Sequence, residues 1–200
     1  MLVISPLKTL HSRLLAPSLD RSTSRFEPRA LLVLETQRLL LRHLELADLD
    51  PLYALYRDPV IRRYFPDGTR TLEETRQELQ WFLHGHPRRP ELGLWATIEK
   101  RSAGFLGRCG LLPWSIDGRP EVELAFLIDK ARWGEGFATE ASLGIIEYAR
   151  SLSLERLICL IMPENEGSAA VARKVGMRFE REHMDQYGLC HIYARSLVHL

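Results

Sequence analysis

Three consecutive segments decide the fold: VELAFLI at residues 122–128, DKARWGEG at 129–136 and FATEASLGIIEYARSL at 137–152. The first segment predicts a strand. The third places apolar or small residues at helical spacing, including Ala138, Ile145 and Leu152, and predicts an amphipathic helix. The middle segment joins them through Gly134 and Gly136. Because the first N–H groups of a helix lack partners and lie at the positive end of its dipole, this turn predicts a phosphate-binding site.

Regular elements flank this unit on both sides, and turn residues separate them. Before it we predict a strand, two helices and two strands: Leu39–Leu44, Asp50–Arg57, Leu72–His84, Gly93–Ile98 and Phe105–Leu112. After it we predict a strand, a helix and two strands: Arg156–Met162, Ser168–Lys174, Arg178–Tyr187 and His191–Val198. Several strands come first and a strand–helix–strand crossover follows, so the order predicts a mixed α/β domain.

The composition suits one globular domain and narrows the classes of partner. The 200 residues are 46% hydrophobic with a net charge of +1, so no overall field favours nucleic acid or an anionic membrane. No apolar run approaches the roughly 18 residues that a membrane span needs. The three cysteines form no C-x-x-C pair and the histidines show no metal-ligand spacing. We therefore expect no disulfide, no metal site and a cytoplasmic location.

The first 34 residues differ from the rest of the chain, since they are rich in arginine, serine and proline and poor in acids. Targeting peptides share this composition, and so do unstructured extensions. We expect residues 1–34 to form a poorly ordered extension and residues 35–200 to form the folded domain.

The glycine turn does not match two common phosphate-binding patterns. The P-loop pattern requires Gly-Lys followed by Ser or Thr, which the sequence does not contain. The dinucleotide pattern G-x-G-x-x-G/A starts at Gly134 but fails at its last position, which is Thr139. A plain glycine turn before a helix also explains the motif when it is taken alone.

Three separated segments occur in the order and spacing of one known family: LETQRLLLR (34–42), RWGEGFATEA (132–141), and NEGS (165–168) followed by KVGM (174–177). In these segments the chain resembles the GCN5-related N-acetyltransferases (GNAT), and among them the ribosomal-protein-alanine acetyltransferase (RimJ/RimL-like) branch. The resemblance implies the GNAT, or acyl-CoA N-acyltransferase, fold: a central, mostly antiparallel sheet with helices on both faces and a splayed cofactor cleft. It also implies acetyl-CoA as the cofactor.

The resemblance assigns cofactor contacts to three places in the chain. In the family's coenzyme A loop, [QR]-x-x-G-x-[GA], the first position falls on Ala131, and Arg132 follows one residue late. As an alternative to a cofactor contact, Asn165 would serve only as a helix-entry residue, and Lys174 would serve only as a favourable cation at a helix end. The expected cofactor-binding residues are Phe126, Leu127, Ile128, Arg132, Gly134, Gly136, Phe137, Ala138, Asn165 and Lys174.

Two residues are the candidates for catalysis. Glu123 is the hypothesised general base, on a strand where family members place a bulge that opens the cleft; as a structural alternative, Glu121 and Glu123 are solvated edge charges. Ser168 is either a proton donor to the thiolate or a helix cap. Ala172 occupies the position where many family members carry an acidic tyrosine.

The expected function is acetyl-CoA-dependent N-acetylation of a primary amine by direct attack, with a protein N-terminus, an amino sugar or a polyamine as acceptor. A non-catalytic acyl-CoA-binding module is the alternative, and a dinucleotide-binding protein is the third hypothesis. The prediction allows a homodimer. Residues 58–89 and the last hairpin should set the acceptor. Five arginines cluster there, and we expect them to be solvated surface charges, with reception of an acidic substrate as the alternative: Arg62, Arg63, Arg70, Arg88 and Arg89.

Overall fold

The computed structural model describes residues 31–198. Most of the predicted extension, residues 1–30, lies outside the described residues. Strand β1, Leu32–Glu35, begins inside the predicted extension, so the folded part starts before the expected boundary at residue 35.

The strands and helices follow the predicted order, with β1 in addition. The strands are β1, β2 (Leu39–His43), β3 (Gly93–Glu99), β4 (Phe105–Ile116), β5 (Arg119–Ile128), β6 (Arg156–Ile161), β7 (Arg178–Asp185) and β8 (Gly188–Ser196). The helices are α1 (Leu49–Tyr56), α2 (Leu72–Phe82), α3 (Phe137–Ser151) and α4 (Glu166–Lys174). Short 3-10 turns precede α1 and α3, at Leu46–Asp48 and Lys130–Arg132. The mixed α/β class is confirmed, and the predicted element ends differ from the structure by a few residues.

All eight strands form one sheet in the order β1-β2-β3-β4-β5-β6-β8-β7. Every neighbouring pair is antiparallel except β5 and β6, which are parallel and share one residue pair, Glu123 with Ile158. The β4–β5 ladder runs without a register shift from Gly107 opposite Ile128 to the hairpin. The expectation of a bulge in β5 that opens the cleft is therefore wrong for its ladder with β4. The strands separate instead because β5 and β6 pair at a single position.

Helices cover both faces of the sheet, as expected. Adjacent strand residues point to opposite faces, and the β4 residues Cys109 and Arg108 illustrate the two environments. On the face of Cys109 and its register partner Trp95, the Trp95 ring meets Tyr148 of α3 edge-on at 5.3 Å. On the other face Arg108 contacts Tyr56 of α1.

Local sequence signals place the helices. The Thr71 hydroxyl accepts from the Glu74 N–H while the Glu74 carboxylate accepts from the Thr71 N–H, so a capping box starts α2. Within residues 31–198, no helix combines the length and the apolar character needed to cross a bilayer.

Candidate active site

A cleft of about 500 Å³ opens where β5 and β6 diverge beyond Glu123. It is bounded by the end of β5, the glycine turn, the start of α3 and helix α4. The structure brings all the predicted cofactor residues together in this cleft, together with Ser168, and leaves Glu123 out of its lining. The predicted residues that line it are Phe126, Leu127, Ile128, Arg132, Gly134, Gly136, Phe137, Ala138, Asn165, Ser168 and Lys174.

The glycine turn presents backbone to the cleft. Gly134 and Gly136 have φ values of 84° and 83°, a left-handed conformation that favours glycine. Gly136 is the N-cap of α3 and has no side chain to bind the first N–H groups of the helix. A β-carbon on Gly134 would meet no atom within 4 Å, so the space beside its backbone is open. The arrangement fits an anion that approaches the main chain closely.

Arg132 lies at the cleft, but carboxylates already bind its guanidinium group. Its Nη2 lies 2.9 Å from an oxygen of Glu99, and its Nε lies 2.8 Å from an oxygen of Glu135. The Arg132 hydrogen bond holds the pKa of Glu99 at about 2, with a further contribution from Ser102. Arg132 therefore fixes the turn to β3 and does not present the free charged fork that the sequence suggested.

A second arginine fastens the turn from the side of β2. Arg38 binds Glu140 of α3 with 2.5 Å between Nε and Oε2, and its Nη1 donates to the Glu135 carbonyl at 3.0 Å. Its guanidinium also lies 4.3 Å from the centre of the Phe137 ring. Residues from β2, β3 and α3 thus hold the turn in place.

The hydrogen bonds at the start of α4 test whether Ser168 is a helix cap, one of the two roles expected for it. Asn165 caps the helix, because its Oδ1 accepts from the Ser168 N–H at 3.1 Å. The capping alternative for Ser168 is therefore wrong, and Ser168 is one of the residues that line the cleft. Asn165 is therefore a helix-entry residue, as its alternative role required. This bond uses only its Oδ1 atom, so its Nδ2 group is left for another contact. Lys174, at the far end of α4, is exposed.

Glu123 is fully buried at the vertex where β5 and β6 meet. The Trp114 indole donates to its Oε2 at 2.8 Å, and its Oε1 accepts no hydrogen bond from residues 31–198. Burial raises the pKa of Glu123 to about 8, although the Trp114 bond and the charge of Arg108 oppose the shift. The alternative of a solvated edge charge is wrong for Glu123. Glu121 is bound by Arg156, with 3.0 Å between Oε2 and Nε.

One wall of the cleft lies in the segment 58–89 that was expected to set the acceptor, but the sequence interpretation did not single out its residues. It comes from the loop between α1 and α2, through Val60, Ile61, Tyr64 and Phe65. The local signal was the aromatic pair Tyr64 and Phe65, which lies in a loop directly before the turn Pro66-Asp67-Gly68. Aromatic side chains in a loop need other residues or a ligand to bury them. Apolar residues of the turn and α4 complete the lining: Trp133, Ala170 and Val171.

Comparisons with known proteins agree with this architecture. A family model described as an acetyltransferase (GNAT) domain matches residues 38–178. The uncharacterized protein YkkB of Bacillus subtilis (strain 168) is 31% identical over 154 residues, which cover 74% of this chain and 86% of that protein. The uncharacterized N-acetyltransferase p20 of Bacillus licheniformis is 29% identical over 176 residues, covering 82% of this chain and 95% of that one.

The same fold occurs in a solved structure that contains coenzyme A. The ribosomal L7/L12 alpha-N-protein acetyltransferase RimL in complex with coenzyme A superposes with a TM-score of 0.68 at 19% identity. The match covers 83% of this chain and 98% of that one. At this identity the likeness concerns the fold.

Proposed function

The chain belongs to the GNAT family of acetyltransferases and is an N-acetyltransferase, and we propose that it transfers the acetyl group of acetyl-CoA to a primary amine by direct attack. One observation carries the proposal: a cleft opens between β5 and β6 exactly where a left-handed glycine turn starts α3. The solved structures that share its fold include RimL, an alpha-N-protein acetyltransferase, and this likeness supports our proposal that the chain lies beside the RimJ/RimL-like branch.

The cleft fits the anionic part of coenzyme A. Phe137, Ala138 and Thr139 line the cleft and carry the first N–H groups of α3, and no side chain of the N-cap binds these groups. Backbone N–H groups and the positive end of a helix dipole would hold the phosphate oxygens. Lys174 adds an exposed positive charge. The charge of Arg132 is compensated by Glu99 and Glu135, so Arg132 would contribute through the position of the turn.

The rest of the cofactor would lie along β5. From Leu124 onward β6 does not pair with β5, so one edge of β5 faces the cleft. Amide groups of an extended chain bind such an edge as an added strand would. Asn165 offers its Nδ2 group from the opposite side of the cleft. When bound, the cofactor supplies an activated acetyl thioester within reach of an amine.

Two proton movements accompany the transfer of an acetyl group to an amine. A carbon–nitrogen bond forms and the carbon–sulfur bond breaks; the amine loses a proton, and the departing sulfur takes one up. We assign the first proton to Glu123, which would accept it through water because its carboxyl lies outside the cleft lining. Its pKa of about 8 suits a proton acceptor under mildly alkaline conditions. The second proton would come from a hydroxyl of the cleft lining, Ser168 or Tyr64, because Ala172 has no acidic hydrogen.

The test is release of the coenzyme A thiol over a panel of amines, with cofactor binding measured separately by calorimetry. We expect saturable thiol release with at least one primary amine and stoichiometric binding of acetyl-CoA. Binding without release on any amine would support the non-catalytic alternative. Absence of binding would reject the assignment of the cleft. The cytoplasmic location and the homodimer stay predictions.

A further inference from the structure

The cleft wall formed by the α1–α2 loop is the acceptor wall, and behind it lies a buried group of charged and polar side chains. We call this group the basic cluster. Its members come from α1, the α1–α2 loop, α2 and β4, and they are Tyr56, Arg62, Asp67, Arg70, Glu78 and Arg108. The arginines that the sequence suggested were solvated include Arg62 and Arg70, and for these two the expectation is wrong: they are 1% and 8% exposed.

Ion pairs connect the cluster in a chain. Asp67 binds both loop arginines, with 2.5 Å to Nη2 of Arg62 and 2.6 Å to Nη2 of Arg70. Arg70 also lies 3.3 Å from one oxygen of Glu78, and the Nε of Arg108 lies 3.6 Å from the other.

The cluster carries more positive than negative charge. Three guanidinium groups face two carboxylates, those of Asp67 and Glu78. Although burial opposes ionisation, the charges of Arg108 and Arg70 hold the pKa of Glu78 below its usual value. Burial raises the pKa of Tyr56, so its hydroxyl stays neutral. Glu123 on the same sheet face keeps its proton at neutral pH and adds no compensating charge. An uncompensated buried charge is costly, which favours binding of an anion.

Three terminal guanidinium nitrogens of the cluster lack hydrogen-bond acceptors in the described part of the chain. Within residues 31–198, Nη1 and Nη2 of Arg108 and Nη1 of Arg62 have no hydrogen-bond partner. The Arg108 side chain is fully buried. A buried donor without an acceptor costs about 1–3 kcal/mol, and more for a charged group. Both guanidinium groups lie within 5.9 Å of the same Phe65 ring centre. A carboxylate has two oxygens and can accept from unpartnered guanidinium N–H groups.

One layer of side chains separates these nitrogens from the cleft. Phe65 lines the cleft, and its ring centre lies 4.0 Å from the Arg62 guanidinium carbon and 5.9 Å from that of Arg108. Leu127 also lines the cleft and is the register partner of Arg108, so the two side chains lie side by side on one face of the sheet. A turn of the Phe65 ring would connect the cleft to the cluster, and such rotamer changes are common on binding.

We propose that the acceptor is an amine that also carries a carboxylate, and that this carboxylate binds the terminal nitrogens of Arg108 and Arg62 once the Phe65 ring turns aside. The inference rests on the proposed acetyl transfer and adds the class of acceptor. Two sources offer this chemistry: a free amino acid, and a protein chain whose first residue is Asp or Glu. The excess charge of the cluster selects either one over a neutral amine of the same shape.

The experiment compares acceptors that differ only in charge. Free L-amino acids are paired with their α-amides, and peptides beginning with Glu or Asp are paired with peptides beginning with Gln or Asn; thiol release gives kcat/KM for each. In at least one set we expect the carboxylate acceptor to exceed its carboxamide by about tenfold or more, since a bond to a charged group contributes about 1.5–3 kcal/mol. The set that shows the preference identifies the source.

The variant Arg108→Gln should reduce this ratio to about one while transfer to the neutral acceptor continues. Arg76→Gln is the matched control, because Arg76 is a half-exposed arginine of α2 paired with Glu73, and it should leave the ratio unchanged. Wild-type protein gives a readout that does not depend on the variant folding. Its melting temperature should rise with added glutarate compared with chloride at equal ionic strength.

The outcomes separate this inference from the proposed function. Acetylation of amines with equal rates within every pair, and no rise in melting temperature with glutarate, would overturn the inference and leave acetyl transfer standing. Loss of transfer on all acceptors in wild-type protein would reject both. A ratio that persists in folded Arg108→Gln protein would show that the carboxylate binds elsewhere and would also overturn the proposal.

Discussion

The two walls of the cleft are built from different parts of the polypeptide. The wall formed by the glycine turn and the start of α3 presents main-chain N–H groups, and its side chains serve mainly to hold the turn in place. The wall formed by the α1–α2 loop presents side chains, supported from behind by buried ion pairs. Main-chain groups recognise a part common to every cofactor molecule, whereas side chains can change with the acceptor.

The two walls therefore also differ in which substitutions would damage them. Main-chain donors survive most substitutions, so the first wall is sensitive chiefly at positions with a special backbone conformation, such as Gly134 and Gly136. The second wall depends on buried charges, where removal of one partner leaves the other uncompensated. Glu123 belongs to neither wall and lies at the vertex between them. Substitutions at these three places therefore test the comparison separately.

The largest effect is expected at the vertex. Glu123→Gln keeps the shape of the side chain but cannot accept a proton, so acyl transfer should fall about a hundredfold or more, with acetyl-CoA affinity unchanged. Single-turnover kinetics and calorimetry measure the two quantities. Glu121→Gln on the same strand is the control, since its carboxylate is bound by Arg156 and should matter little. An unchanged transfer rate in Glu123→Gln would exclude the proton-acceptor role.

The same residue determines a pH dependence. Ionised Glu123 accumulates as the pH rises through about 8, so the transfer rate should rise over this range. The free energy of unfolding changes in the opposite direction, because folding raises the pKa of Glu123. The contribution of the protonated carboxyl to stability is fully present below the ordinary pKa of a glutamate and is lost as the pH rises to about 8. Glu123→Gln should therefore melt at a higher temperature than the wild type above pH 8. Thermal scans at several pH values measure this difference, and a lower melting temperature of the variant above pH 8 would contradict the prediction.

The acceptor wall should respond mainly in stability. Glu78→Gln leaves Arg108 and Arg70 without their buried carboxylate and should lower the free energy of unfolding by about 3–5 kcal/mol. Glu73→Gln, on the exposed side of the same helix, removes a surface ion pair and should cost less than about 1 kcal/mol. Urea denaturation compares the two variants. Equal losses would show that the basic cluster does not stabilise this wall.

The cofactor wall should respond in binding. Gly134→Ala puts a side chain into a left-handed position at a cost of about 1–2 kcal/mol, and its methyl group occupies the open space beside the turn. We expect acetyl-CoA affinity to fall about tenfold, the free-energy equivalent of about 1.4 kcal/mol. Gly118→Ala is a matched control: its φ is 76°, its surroundings are equally open, and it lies in the β4–β5 hairpin turn. A similar loss of affinity in both variants would exclude a specific role of the turn.

The smallest effect concerns the hydrogen bond from Trp114 to Glu123. This bond favours the ionised carboxylate, so Trp114→Phe should move the midpoint of the rate–pH profile upward by about one unit. Trp81→Phe changes an indole that has no hydrogen-bond partner within residues 31–198, and it should leave the midpoint in place. A downward shift in Trp114→Phe would contradict the assigned direction of the bond.

The sequence was informative where a local rule controls the structure. The spacing in 137–152 predicts a helix, and α3 confirms it. The capping box of Thr71 and Glu74 is likewise a local pattern of two side chains three residues apart. The fold followed because these units occur in a recognisable order. Such rules act over a few residues, and so they can be read without knowledge of what packs against them.

Interactions between distant segments were not accessible in the same way. Burial of Arg62 and Arg70 depends on carboxylates that follow in the loop and in α2, and on Arg108 from β4. Arg132 matches a phosphate-binding position locally, but Glu99, more than thirty residues earlier, takes its guanidinium. No sequence pattern states which of several carboxylates an arginine will meet.

The single residue pair between β5 and β6 has a consequence for the protein without its ligand. It leaves a strand edge in the middle of a sheet, where polar main-chain groups normally exchange hydrogens slowly. Edges of this kind also attract strands from other molecules. Occupation of the cleft would cover this edge, so that main-chain amides on the cleft side of β5 should exchange hydrogen for deuterium more slowly and the protein should associate with itself less. The gap between β5 and β6 that admits a substrate would thus also make self-association of the protein depend on whether a ligand is bound.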